Sequence, residues 1–168
     1  MNRIIIALLL GFTFLSTESL FSQEDPKELF EKSWTTTNDA EKISLREKIM
    51  EVAPDTEYGM FCKGWFLVQK EDYKSSLEYF GKAITINDKF WQAYHTRANV
   101  YGMLRETEKA IADLTSAIAI NPDYTDSYFV RGATYYSTGE KKKGCEDLSK
   151  AASLGNTNAK DLMEKYCK

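Results

Sequence analysis

WQAYHTRANVYGMLRETEKAIADLTSAIAINPDY, residues 91–124, decides the fold. From Trp91 to Met103, Tyr94, Ala98 and Tyr101 recur at helical spacing, which predicts an amphipathic helix. Arg105-Glu106-Thr107 breaks the pattern. Glu108 to Ile120 restores it, with Ala110, Leu114 and Ala117 on one stripe. Small residues facing large ones let two helices approach closely while a bulky side chain fills the groove opposite. Asn121-Pro122-Asp123 closes the unit: proline cannot continue a helix, and Asp123 can cap the next one.

The same plan recurs on both sides at a period of 34 residues. Gly64, Ala98 and Gly132 occupy one slot; Met60, Tyr94 and Tyr128 lie four residues before it, and Leu67, Tyr101 and Tyr135 three after. Ser76, Ala110 and Gly144, then Phe80, Leu114 and Leu148, then Ala83, Ala117 and Ala151 follow in register. Ile86, Ile120 and Leu154, with Asp88, Pro122 and Asn156, end each unit. A fixed period of this length marks helix–turn–helix units that bury their apolar faces only by stacking.

This spacing resembles the tetratricopeptide repeat. Residues 91–124 fill its slots best; 125–158 have Asn156 where proline is usual, and 57–90 depart at Met60, Ser76 and Asp88. The resemblance implies an all-α fold, a right-handed α-solenoid of antiparallel helix pairs. Upstream, Pro54 keeps the register, but Pro26, Phe30, Lys42 and Arg46 stand where small or aromatic residues belong. Asp25-Pro26-Lys27-Glu28 and Asn38-Asp39-Ala40-Glu41 still read as helix starts, so residues 23–56 are expected to form a degenerate helical pair capping the stack. Asn158 is expected to cap a last helix, in a C-terminal segment 159–168, with Ala159, Leu162, Met163 and Tyr166 on one side.

Residues 1–22 read as a signal peptide. Arg3 precedes a dozen mostly apolar residues, too short a run for a membrane span, and a stretch rich in Ser and Thr follows, Ser16 to Ser22. Export is therefore expected, to the periplasm or as a secreted protein, with no membrane span after cleavage. Removing this segment takes away one charge of each sign and leaves the net charge at −3. With a pI near 5.3 and no polybasic stripe, nucleic acid is not an expected partner.

Three cysteines in an exported chain make one pair and one left over. Cys145 and Cys167 each lie 11 residues from Asn156, at equal heights on two helices joined by a tight turn, so they are the expected disulfide. Such a bridge contributes on the order of 3 kcal/mol by constraining the unfolded chain. Cys62 reads as a small core residue.

No catalytic or metal constellation is legible. His95 is the only histidine, the cysteine spacing fits no zinc pattern, and the glycines fall at packing and turn positions. Neither catalysis nor a cofactor is expected. Acidic pairs such as Glu71-Asp72 and Glu146-Asp147 are expected at helix starts, where they complement the dipole.

The resemblance also implies that the first helix of each unit lines a concave groove that holds a peptide. Carried over by position, the lining is Tyr58, Phe61, Trp65, Val68 and Gln69; then Gln92, His95, Asn99, Gly102 and Met103; then Asp126, Phe129, Ala133, Tyr136 and Ser137. It holds no Lys or Arg, against a clamp for acidic tails, and its aromatic and amide side chains suit apolar anchors. The expected function is an exported protein–protein interaction scaffold. The alternatives are a self-associating, homo-oligomeric module of the cell envelope and a carrier of a small apolar ligand.

Overall fold

A computed structural model describes residues 24–167; the segment 1–22, expected to be a signal peptide, lies outside them. Among the described residues the chain forms nine helices and no strand. They are α1 (Pro26–Thr35), α2 (Asp39–Val52), α3 (Glu57–Gln69), α4 (Tyr73–Ile86), α5 (Trp91–Met103), α6 (Thr107–Ile120), α7 (Thr125–Ser137), α8 (Lys141–Ser153) and α9 (Thr157–Tyr166). Each packs mainly on its neighbours in sequence, which makes the molecule an α-solenoid.

The helix pairs close because residue size alternates. Gly132 and Gly144 face each other across α7 and α8: a Cβ on Gly132 would come within 2.9 Å of the Gly144 carbonyl oxygen, and one on Gly144 within 2.8 Å of that of Gly132. At the same slots in the preceding pair, Ala98 and Ala110 are buried beside Leu114. The large residues Phe80, Leu114 and Leu148 are almost wholly buried. The turn inside each of the last three pairs takes one residue of positive φ, at Glu71 (60°), Arg105 (60°) and Gly139 (89°), again 34 residues apart. Only the last of these is the glycine that this conformation favours.

Arg97 donates through Nε and Nη2 to the Asp113 carboxylate at 2.7 and 2.8 Å, and Arg131 does the same to Asp147 at 2.7 and 2.9 Å. These forks tie the first helix of a pair to the second. Asp147 is thus mid-helix in α8 and paired with an arginine, which corrects the expectation of a helix-start acid. Asp72 does cap α4, accepting from the Ser75 amide at 3.2 Å. In the first clear repeat Lys63 and Tyr79 replace the fork, and Lys63 donates to the Pro54 carbonyl instead.

Three caps also differ from expectation. Asn156, not Asn158, caps the last helix, accepting from the Ala159 amide at 2.8 Å, so α9 begins earlier. Asn121 rather than Asp123 supplies the side chain of the turn before α7, accepting from the Asp123 amide. At Asn38 only half a capping box forms: Asn38 accepts from the Glu41 amide, while the Glu41 carboxylate turns to Lys32 and Thr36.

At the C-terminal end, α9 lays Ala159, Leu162 and Met163 on Leu148 and Ala151 of α8. Cys145 and Cys167 stand in disulfide geometry, their Cα atoms 5.6 Å apart.

A candidate partner-binding groove

The first helix, α1, is the unexpected element. Its Phe30 ring lies 5.1 Å from Tyr58 and Phe61 of α3 and 5.0 Å from Phe90, at the start of α5. One turn later, Trp34 lies 6.0 Å from Phe61, 5.4 Å from Trp91 of α5 and 6.1 Å from Tyr124, at the start of α7. One turn along α1 therefore advances one repeat along the stack. Had α1 packed like the other first helices, Phe30 would face Lys42 of α2, as Gly132 faces Gly144. Instead α1 crosses the N-terminal ends of α3, α5 and α7.

The cause lies in the sequence. Phe30 stands in the slot that Gly64, Ala98 and Gly132 keep small, so α1 cannot approach α2 as those helices approach their partners. Aromatic residues at the starts of α3 and α5 need cover, and α1 supplies it.

This placement sorts the expected lining. Phe61 is fully buried among Phe30, Trp34, Phe80 and Phe90, so it is core and not groove, because the N-terminal pair closes over it. Gln92 and His95 are buried as well. Phe129 packs into the cluster of Leu148, Ala151 and Ala159, and Asp126 accepts from the Asn156 amide at 3.1 Å. Tyr58 is half-buried beneath Phe30. Past α1, Gln69 and Met103 are exposed, and Trp65, Asn99 and Tyr136 half-exposed. Met103 alone keeps 59% of its surface in solvent.

Arg46 is a neighbour that the helix-by-helix reading missed. Its guanidinium stacks 4.3 Å over the Trp65 ring, yet it comes from α2 and stands in the slot of Phe80, Leu114 and Leu148. Its Nε and Nη1 are buried without a partner among the described residues. Burial lowers its pKa to about 10. The signal was present in the sequence as a charge at a core slot, but nothing there gave its direction.

His95 spans two helices. Its Nδ1 lies 3.0 Å from Ser127 Oγ and its Nε2 3.2 Å from Asn99 Nδ2. The Asn99 amide donates, so Nε2 accepts, Nδ1 carries the proton and Ser127 Oγ receives it. An imidazole that donates to a serine cannot take that serine's proton, so the contact ties α5 to α7 and activates nothing. Burial lowers the His95 pKa to about 4. Burial likewise raises the Cys62 thiol to about 12, far from thiolate reactivity. Among the described residues no group of three or more His, Cys, Asp or Glu could hold a metal ion, and no helix is long and apolar enough to cross a membrane.

Residues 61–90 and 92–124 match the family model for the tetratricopeptide repeat. No curated protein matches the chain. Among solved structures, the crystal structure of MamA is 19% identical, with 81% of each chain covered and a TM-score of 0.61. The first tetratricopeptide domain of Spaghetti (RPAP3), bound to the HSP90 peptide SRMEEVD, is 21% identical over 66% of this chain and 90% of that one, at 0.63. YrrB, a tetratricopeptide protein with an unusual peptide-binding site, is 19% identical over 83% of this chain and 68% of its own, at 0.61. At these identities the likeness shows the fold.

Proposed function

For a chain that carries tetratricopeptide repeats, we propose the role of an interaction scaffold, without catalysis, that holds a peptide or protein partner in the part of the groove α1 leaves open. One observation carries this reading. Trp65, Asn99, Met103 and Tyr136 come from three successive first helices and stay accessible, although the aromatic residues at the starts of α3 and α5 are covered. A methionine with 59% of its surface in solvent suits an adaptable apolar contact. MamA-like and peptide-bound domains share the fold, which supports a partner of protein nature.

The compartment is part of the proposal. An apolar N-terminal segment and a well-placed Cys145–Cys167 pair support export to an oxidising space, the periplasm or the exterior.

The test is site-directed photo-crosslinking in the source cells. A crosslinking residue at Met103 should capture a specific protein, and one at Thr115, on the exposed face of α6, should not. Capture must then fall at least tenfold with Asn99→Ala and Tyr136→Ala in a chain of unchanged helical content. Equal capture from both positions would overturn the groove assignment. A captured second copy would assign the groove to self-association.

A further inference from the structure

We infer that the aromatic trough beneath α1 is a seat for an amphipathic helix bearing two aromatic side chains one turn apart, and that a partner's helix of this kind displaces α1 to occupy it. The inference rests on the scaffold reading above and adds the chemistry of the partner.

The occupant is identified by what already sits there. α1 is ten residues long, with Leu29, Phe30 and Trp34 inward and Lys27, Glu28, Glu31, Lys32 and Thr35 exposed. Phe30 and Trp34 are four residues apart, one turn, and span the step from one repeat to the next. An apolar face laid into a groove with anchors at this spacing is how helical ligands are read.

The attachment is of a kind that can exchange. Among the described residues no backbone hydrogen bond joins α1 to α3, α5 or α7. Its polar ties run to α2 at the surface, from Lys32 and Thr36 to Glu41 at 2.9 and 2.6 Å and between Glu24 and Lys48. Thr36 and Asn38 are extended, and with Thr37 they form a short non-helical link on which α1 can swing.

The one histidine beside the trough makes no polar demand on its occupant. His95 is satisfied at both ring nitrogens by Asn99 and Ser127, and its ring packs against Tyr124, which in turn lies 6.1 Å from Trp34. A second helix with the same apolar anchors leaves the His95 nitrogens paired as they are. It must, however, outcompete a segment tethered at high effective concentration.

The probe is a fluorescein-labelled synthetic peptide of residues 24–38, added to the full chain. Wild type is compared with Trp34→Ala, which weakens the resident helix at one end, and with Glu41→Ala, which cuts the ties from Lys32 and Thr36 and leaves the core intact. Both variants should bind the peptide at least tenfold more tightly than wild type. A peptide with Phe30→Ala and Trp34→Ala should bind none of the three chains. Hydrogen exchange should speed over 26–35 in the variants and stay slow over α3 to α8. Variants that retain this protection yet take no peptide, or a wild type that binds as tightly as they do, would make α1 a fixed cap and end the proposal. Partner capture through Met103 without peptide binding sinks this inference and keeps the scaffold; peptide binding without capture does the reverse.

Discussion

Arg97 grips Asp113 through two parallel hydrogen bonds, 2.7 and 2.8 Å long, with both side chains mostly shielded from water. Asp113 holds the guanidinium in its charged form and raises its pKa. A fork of this kind is costly to break from one side, because the remaining charge stays buried. Asp113→Ala should therefore lose about 3 kcal/mol in urea unfolding. Removing both partners with Arg97→Leu and Asp113→Leu should cost less than Asp113→Leu alone, a non-additivity that a surface ion pair would not give.

Arg46 makes the opposite prediction. Its buried Nε and Nη1 lack partners among the described residues, and its slot holds Phe80, Leu114 and Leu148 in the other units. Arg46→Leu should raise stability by about 1–2 kcal/mol despite the lost stacking on Trp65, because an uncompensated charge leaves the interior. A melting temperature that drops would show that the guanidinium is satisfied in solution.

Acid should weaken the fold through His95. Its folded pKa, about 4, lies below the 6.5 of an unperturbed imidazole, so between these values the unfolded chain binds a proton that the folded chain refuses. Stability from this residue is whole above pH 6.5 and is lost as the pH falls toward 4. The loss is on the order of 3 kcal/mol. Nearby Asp126 works against the shift and is outweighed by burial. Subtracting the unfolding free energies of His95→Gln from those of wild type at pH 7.5, 5.5 and 4.5 isolates the slope; a flat difference would contradict it.

The Cys145–Cys167 pair closes a loop with a sequence separation of 22 residues. The native protein should therefore weigh two hydrogen masses less than its reduced form and carry one free thiol, Cys62, that reacts only after denaturation. Reduction should cost on the order of 3 kcal/mol and release exchange protection first in α9. Three thiols titrating in the unreduced protein would exclude the bridge.

Arg105 sits at φ 60°, where the equivalent residue in the next unit is Gly139. Arg105→Gly should stabilise by up to about 1 kcal/mol, since a side chain in this region costs about that much. Glu71→Gly should act alike. A loss of stability in both would mean that their side chains do more than their backbone strain costs.

The sequence by itself determined the repeat. A 34-residue recurrence of small and large residues leaves two helices one way to pack and neighbouring pairs one way to bury what remains, so Gly132 against Gly144 and Leu148 beside Ala151 were legible before any coordinate. Even the forks were written there, as Arg97 and Arg131 with Asp113 and Asp147, though only paired distances gave them meaning. The tertiary structure decided which groove residues meet solvent. A periodic pattern fixes the slots within a unit, but it has no term for an end helix that breaks the pattern, and Phe30 in a slot made for glycine sent α1 across the groove. That displacement buried Phe61, because its outcome depends on contacts between segments whose spacing no period records.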